Sequence, residues 1–156
     1  MKKSGPLKWL RLFSMFSISL TAVAGMNNAL ASADVVAVDV SGSSGSYDFA
    51  VTLKSPDAGC SQYANWWEVL SEDGKLIYRR ILWHSHVDEQ PFTRSGGPVH
   101  IGPDTVVYVR AHMKVGGYGG MLMKGTVHKG FQKIEPKPSF AADAERLAPQ
   151  TNECWF

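Results

Sequence analysis

The sequence predicts an all-β fold, an antiparallel β-sandwich of about seven strands followed by a short C-terminal tail. Clusters of Gly, Ser, Pro and Asp interrupt residues 32–130 at short intervals, which is typical of sandwiches and barrels. The segments between them alternate apolar and polar residues, the period of a half-buried strand. One interruption, EDGK at residues 72–75, contains the Asp-Gly pair that favours a hairpin turn.

The first half of this region divides into four predicted strands. They are residues 35–40 (VVAVDV), 47–55 (YDFAVTLKS), 66–71 (WWEVLS) and 76–83 (LIYRRILW). In the second of them, Tyr47, Phe49, Val51 and Leu53 share one face. The last two form a hairpin, with positive φ angles expected at Asp73 and Gly74.

The second half adds three predicted strands, at residues 99–102, 105–114 and 121–127. Residues 105–114 alternate clearly and therefore have two distinct faces. The core face carries Val107, Val109, Ala111 and Met113, and the outer face carries Tyr108, Arg110 and His112.

Residues 1–31 have the features of a secretory signal peptide. Basic residues come first, at Lys2, Lys3, Lys8 and Arg11, and Leu12 to Met26 form an uncharged apolar run. Ala29-Leu30-Ala31 fits a cleavage site, and a second site after Ala33 is an alternative. The run is shorter than the roughly 20 residues of a membrane span, which favours a cleaved signal over an uncleaved anchor. We therefore expect an exported protein, periplasmic or secreted, with no membrane contact after cleavage.

The mature chain is close to electrically neutral. The whole sequence has 16 basic and 14 acidic residues, and the four basic residues of the signal leave 12 against 14, a net charge of about −2. A domain of this charge lacks the basic footprint that nucleic-acid binding requires. We expect one sandwich domain at 32–130, a tail at 131–156 and a monomer.

Cys60 and Cys154 are the two cysteines of the chain. In an oxidising compartment an even pair most simply forms one disulfide, and two free thiols are the alternative. The bond would tether the tail, which contains Pro136 and Pro138. Residues 139–148 could form one short helix, with Ser139 as its N-cap and Pro149 ending it.

One segment, VYVRAHMKVGGYGG at residues 107–120, resembles the F strand and F–G turn of fibronectin type III domains. The resemblance covers about 80 residues, 47 to 127, and implies an immunoglobulin-like sandwich with Trp66 and Trp67 on strand C. The family usually carries a tyrosine where this chain has Thr105, and a disulfide to a C-terminal tail is not a family feature. Such sandwiches serve many functions, so the resemblance implies a fold alone.

The stretch HSHVDEQPF, residues 84–92, carries the candidate metal ligands. Residues two apart on a strand point to the same side about 6 to 7 Å apart, so His84 and His86 could share one ion. Glu89 or Asp88 would add an oxygen, and His112 or His100 a third imidazole. Such an open site suits Zn²⁺ or Cu²⁺.

The alternative is that this stretch is a structural loop. Asp88 or Glu89 would then pair with a buried arginine and hold the loop in place. The arginine candidates are Arg79, Arg80, Arg94 and Arg110, whereas Glu68 and Glu72 are expected to be solvated. A surface for a ligand or partner is predicted at Arg94, Tyr108, Arg110 and Tyr118.

No HExxH, CxxC or GxSxG motif occurs in the sequence. The sequence therefore predicts a non-catalytic binding or structural module of the cell envelope that needs no cofactor. Its partner would be another envelope protein or a small ligand. The alternative is an envelope protein that binds one Zn or Cu ion through His84 and His86.

Overall fold

A computed structural model describes Met1 and residues 30–137, 139–151 and 153–155. The predicted signal peptide therefore lies almost entirely outside the described residues. Within the described part of the chain, no helix has the length and apolarity needed to cross a membrane.

Within the described residues, eight strands form two antiparallel sheets, which confirms the predicted all-β sandwich. The three-stranded sheet has the order β1-β2-β5, from β1 (Asp34–Ser43), β2 (Ser46–Lys54) and β5 (Phe92–Val99). The five-stranded sheet has the order β4-β3-β6-β7-β8, from β4 (Leu76–Ile81), β3 (Ala64–Ser71), β6 (Val107–Met113), β7 (Leu122–Thr126) and β8 (Gly130–Ile134).

The core lies between the sheets and follows the alternation in the sequence. The predicted core faces of β2 and β6 are both buried there, together with Trp67 and Val69 of β3. The outer face of β6 is also buried, which alternation does not predict. Something must therefore cover the five-stranded sheet from outside.

The β3–β4 hairpin is confirmed, but its turn differs from the predicted one. Gly74 has a φ of 83°, whereas Asp73 is not among the described residues with positive φ. The amide of Gly74 donates to the carbonyl of Ser71, and the register shifts between Val69 and Leu70. A turn with one left-handed glycine followed by a bulge fits a loop of this length.

The fifth strand corrects the prediction of a strand at 99–102. It begins at Phe92 and includes Gly96, Gly97 and Pro98, which suggest a turn when read as sequence. A Cβ at Gly96 would lie 2.6 Å from the hydroxyl of Tyr78, and one at Gly97 would press on Asp48. The glycines therefore allow close approach on an edge strand, where proline is also tolerated.

Residues predicted as tail contain β8, which extends the sandwich to Ile134 by pairing with β7. Beyond it, a single 3₁₀ turn spans Ala142–Arg146 instead of a helix over 139–148. The predicted cap at Ser139 is wrong, because Ala141, with φ 51° and no side-chain cap, precedes the turn. The Cys60–Cys154 disulfide is confirmed, with its Cα atoms 5.5 Å apart.

Candidate functional site

A buried group of charges crosses the outer face of the five-stranded sheet. In the sheet register, Glu68 of β3 lies opposite Arg79 of β4 on one side and Arg110 of β6 on the other. Glu68 is fully buried, and its carboxylate accepts hydrogen bonds from Arg79 at 2.5 and 2.8 Å and from Arg110 at 2.7 Å. We call these three residues the ion cluster.

The C-terminal tail closes the ion cluster with its backbone. Arg79 donates to the carbonyl oxygens of Ala144, Leu147 and Pro149, at 2.5, 2.6 and 3.0 Å. Arg110 donates at 2.8 Å to two more, those of Phe140 and Ala141. Ala141 and Ala144 also accept backbone amides within the tail, whereas the guanidinium groups are the partners of the carbonyls of Phe140, Leu147 and Pro149.

Aromatic rings complete the surroundings of the ion cluster. Trp66 stacks on His112 at 3.8 Å, and Arg110 lies 3.5 Å over the ring of Tyr118. The indole N–H of Trp66 donates to the Tyr118 hydroxyl at 3.2 Å. Burial, and next the charge of Glu68, raise the pKa of Tyr118, so its hydroxyl stays protonated.

These contacts correct several predicted roles. Glu68, expected to be solvated, is the acid that braces the buried arginines. Arg110 and Tyr108, expected at a binding surface, lie beneath the tail, and Tyr118 is half-buried. The alternation of β6 places Tyr108 and Arg110 on the outer face correctly, but it carries no information about the tail above them.

The loop after β4 has a different environment. Glu89 forms a two-point pair with Arg94 at 2.8 and 3.2 Å, and the Glu89 side chain is largely exposed. Asp88 is also exposed. The predicted pairing of these acids with a buried arginine is therefore wrong, although Arg94 and Glu89 do interact at the surface.

A cavity of about 400 Å³ lies beside this loop, and we call it the histidine pocket. Its walls come from the loop, from the segment before β3 and from the end of the tail: Gly59, Cys60, His84, Ser85, His86, Val87, Asp88, Glu89 and Trp155. Trp155 is 61% exposed, and its ring lies 5.3 Å from that of Trp83. The pocket therefore combines exposed apolar rings with imidazole and carboxylate groups.

His86 is the buried member of this pocket. The residue is 3% exposed, and neither ring nitrogen has a hydrogen-bond partner. Its ring is stacked on Phe92 at 3.8 Å, and its Nδ1 is 3.9 Å from Asp57 Oδ2, beyond hydrogen-bond distance. Burial, with smaller contributions from the Arg94 and His84 charges, lowers the pKa of His86 to about 4. The imidazole is therefore neutral near pH 7.

Asp57 holds the loop that carries His86, a role that sequence reasoning missed. Its side chain is fully buried, and Oδ2 accepts the backbone amide of His86 at 2.8 Å. Oδ1 accepts from the Ser55 hydroxyl and the Ala64 amide. No local pattern marks this role of Asp57, because His86 lies 29 residues further along the chain.

The predicted metal ligands are brought together only in part. The rings of His84 and His86 are 4.5 Å apart, but Glu89 turns to Arg94. His112 instead contacts Asn65 at 2.6 Å and Glu145 at 3.3 Å under the tail, where burial lowers its pKa. Among the described residues, no group of three or more His, Cys, Asp or Glu side chains is arranged to hold a metal ion.

The fold and the contacts define an all-β sandwich protein with a disulfide-tethered tail. The chain is similar to a protein of Halomicrobium mukohataei named "Putative lipoprotein", with 40% identity over 95 residues. The match covers 60% of this chain and 47% of the relative, so the chain spans about half of the relative's length. No family model matches the chain, and no solved structure does.

Proposed function

We propose that this protein is an exported, non-catalytic binding module of the cell envelope and that it binds through the histidine pocket. The name of the Halomicrobium mukohataei relative supports an envelope location, because a lipoprotein is held at a membrane by its lipid. The signal-like features of residues 1–31 support export. An exported protein in the envelope would meet its partner there, and we propose that this partner is an envelope protein or a small envelope ligand.

The unpartnered imidazole of His86 is the observation that carries this proposal. Buried polar groups are nearly always hydrogen-bonded, and an exception calls for an explanation such as a ligand. Among the described residues, the buried side-chain nitrogens without partners are Trp67 Nε1, inside the core, and both nitrogens of His86. His86 is the one that lines a cavity.

The composition of the pocket limits what it can bind. Trp155 and Val87 are exposed and offer apolar contact, which suits a ring or an apolar side chain of the ligand. His84 and Asp88 offer polar groups at the rim. Exposed apolar area combined with a few polar groups is the usual make-up of a binding site for a small molecule or a short segment.

Co-sedimentation tests this proposal. The full chain is incubated with washed envelope membranes and, separately, with insoluble cell-wall material from the producing cells. We expect it to pellet with one of these fractions, and His84→Ala or Trp155→Ala to reduce pelleting at least about tenfold, the effect of losing one anchor contact. His128→Ala, which removes another exposed histidine, is the matched control and should pellet like wild type.

Two results would contradict the proposal. The wild-type chain could remain in the supernatant with both fractions. Alternatively, it could pellet equally well with and without His84 and Trp155, which would place the contact elsewhere on the surface.

Metal binding is the second candidate function, and the 4.5 Å separation of the His84 and His86 rings favours it. Two imidazoles would need water or a further group to complete the coordination of Zn²⁺ or Cu²⁺. Calorimetric titration of the full chain with each ion should then give a saturable one-to-one isotherm. The double variant His84→Ala, His86→Ala should lose it, whereas the double variant His100→Ala, His128→Ala should keep it. A flat wild-type titration would exclude this function.

We also propose that the sandwich is related in fold to fibronectin type III domains. The division into a three-stranded and a five-stranded antiparallel sheet, with the β3–β4 hairpin inside the larger one, is in keeping with this resemblance. It adds no argument about function, because such sandwiches carry unrelated sites.

A further inference from the structure

The tail has two different anchors before its end reaches the histidine pocket. The first is the ion cluster, where five carbonyl groups between Phe140 and Pro149 accept hydrogen bonds from Arg79 and Arg110. These donors are charged and largely buried, and charge-assisted hydrogen bonds of this kind are stronger than those between neutral groups. The 3₁₀ turn is therefore held firmly on the sheet.

The second anchor holds the final segment, which the structure describes at residues 151 and 153–155. The non-covalent contacts of these described residues are much weaker than those of the first anchor. The carbonyl of Glu153 accepts from the Tyr63 hydroxyl at 2.7 Å, and the amide of Trp155 donates to the carbonyl of Trp83 at 2.6 Å. The Trp155 side chain is mostly exposed, so apolar burial contributes little there. Among the described residues, the Cys60–Cys154 disulfide is the strongest remaining attachment of this segment.

The disulfide is also part of the pocket. Cys60 lines the cavity directly, and Cys154 precedes Trp155, which forms another wall. We propose that this disulfide is a redox-sensitive latch on the histidine pocket. When it is reduced, Trp155 and its neighbours leave the pocket, while residues 140–149 stay on the ion cluster. This regulation rests on the proposed function only in treating the pocket as the binding site.

The chemical step is a thiol–disulfide exchange with a dithiol reductant. One reductant thiolate attacks a sulfur of the pair and gives a mixed disulfide, and its second thiol then displaces the remaining cysteine. The S–S bond of the protein breaks and two cysteine thiols form. The two electrons come from the reductant, which becomes a disulfide, and its two protons end on the cysteines. Cys60 and Cys154 are only half-buried, so a thiolate can reach them.

Release of the final segment follows from what remains after reduction. Ordering a residue costs backbone and side-chain entropy, and every ordered residue must recover that cost from its contacts. In the described part of this segment, two hydrogen bonds to the sandwich, the buried Thr151 and one exposed pair of indole rings offset little of that cost without the disulfide. Residues 140–149 keep their five hydrogen bonds to the arginines and stay ordered.

Hydrogen exchange measured by mass spectrometry on the full chain separates the two anchors. The samples are the oxidised protein, the same protein reduced with dithiothreitol, and the double variant Cys60→Ser, Cys154→Ser. In both disulfide-free samples, peptides containing Glu153 and Trp155 should exchange at least about tenfold faster. Peptides from Phe140 to Leu147, and those from β3 and β6, should change less than about twofold.

Each other outcome would overturn the latch. Unchanged exchange in the final segment would show that the disulfide does not hold it. Equal acceleration on both sides of Pro149 would show that the tail is released as one unit. Loss of protection in β3 and β6 would show that reduction unfolds the sandwich.

The co-sedimentation assay then tests regulation. The oxidised chain should pellet with its envelope fraction, the reduced chain should not, and reoxidation should restore pelleting. If the reduced chain with a released segment pellets normally, the latch does not regulate binding. If the oxidised chain pellets with neither fraction, the proposed function has failed, and hydrogen exchange still decides whether the latch exists.

Discussion

The ion cluster and the histidine pocket both bury polar side chains, but they satisfy them differently. In the ion cluster, Glu68 accepts from two guanidinium groups, whose other donors end on tail carbonyls. In the histidine pocket, His86 is as deeply buried, yet neither ring nitrogen has a partner. The polar groups of the ion cluster thus find their partners within the protein, whereas the ring nitrogens of His86 do not.

The difference separates a structural site from the proposed binding site. A fully paired group of buried charges gains nothing from a ligand, and losing one member is costly. An unpaired imidazole at a cavity costs stability in the free protein and can recover that cost when something binds. The ion cluster therefore holds the tail in place. In the histidine pocket, the ring nitrogens of His86 still have no hydrogen-bond partner.

The largest effect is expected from Glu68→Ala. This substitution leaves two buried guanidinium groups facing each other without their shared carboxylate. We expect the free energy of unfolding in urea to fall by about 3 to 5 kcal/mol. Glu72→Ala is the matched control, because Glu72 pairs with Lys124 at the surface and should cost less than about 1 kcal/mol. Equal effects would show that the ion cluster is not a structural site.

Acid should destabilise the protein through His86. Its pKa is about 4 in the folded protein, against an ordinary value of 6.5. Between these two pH values the unfolded chain takes up a proton that the folded protein does not, so stability falls as the pH falls. The loss should reach about 3 kcal/mol at pH 4, since one pKa unit corresponds to about 1.4 kcal/mol.

His86→Phe keeps a ring against Phe92 and removes the titration. In urea unfolding at a series of pH values, this variant should lose correspondingly less stability between pH 6.5 and pH 4 than wild type does. If the variant lost as much free energy of unfolding between pH 6.5 and pH 4 as wild type does, the acid sensitivity would belong to another group, such as His112.

A smaller effect tests how closely the tail packs beside the ion cluster. Gly74 and Gly45 both have a φ of 83°, so alanine strains the backbone equally at each. A Cβ at Gly74 would lie 3.1 Å from the Cβ of Ala141, whereas one at Gly45 meets nothing within 4 Å. We expect about 1 kcal/mol for Gly45→Ala and measurably more for Gly74→Ala in urea. Equal urea midpoints for the two variants would mean that Ala141 moves aside at little cost.

The smallest effect is expected at the surface of the pocket loop. Glu89→Ala removes an exposed pair with Arg94 and should change the free energy of unfolding by less than about 1 kcal/mol. A loss above about 2 kcal/mol would make this loop a structural brace after all and would narrow the contrast between the two regions.

Local alternation made most of the sandwich predictable. Tyr47 to Leu53 and Val107 to Met113 bury the side chains that a period of two selects. The same rule puts Trp66 and Glu68 on the outer face of β3, but it says nothing about what covers that face. The sequence of β3 alone predicts a solvated Glu68, because its arginine partners come from other strands and its cover comes from residues 140–149.

The wrong bounds predicted for the fifth strand have one cause. Tyr78 and Asp48 approach positions 96 and 97 so closely that only glycine fits there. In an isolated sequence, however, a pair of glycines suggests a turn. Similarly, His84 and His86 could be recognised as neighbours from their spacing. The burial of His86 depends on Phe92 and Asp57, which no local pattern connects to it.

The position of Glu68 also bears on how the chain chooses among competing strand alignments. A slip of β3 by one residue would exchange its two faces, moving Glu68 to where Trp67 or Val69 packs in the core. A lone carboxylate there would face apolar neighbours, and both arginines would lose their partner, which costs several kcal/mol. A misaligned sheet is therefore higher in free energy as soon as β3 pairs with β4 and β6 during folding. A single acidic residue thus selects one register for three strands.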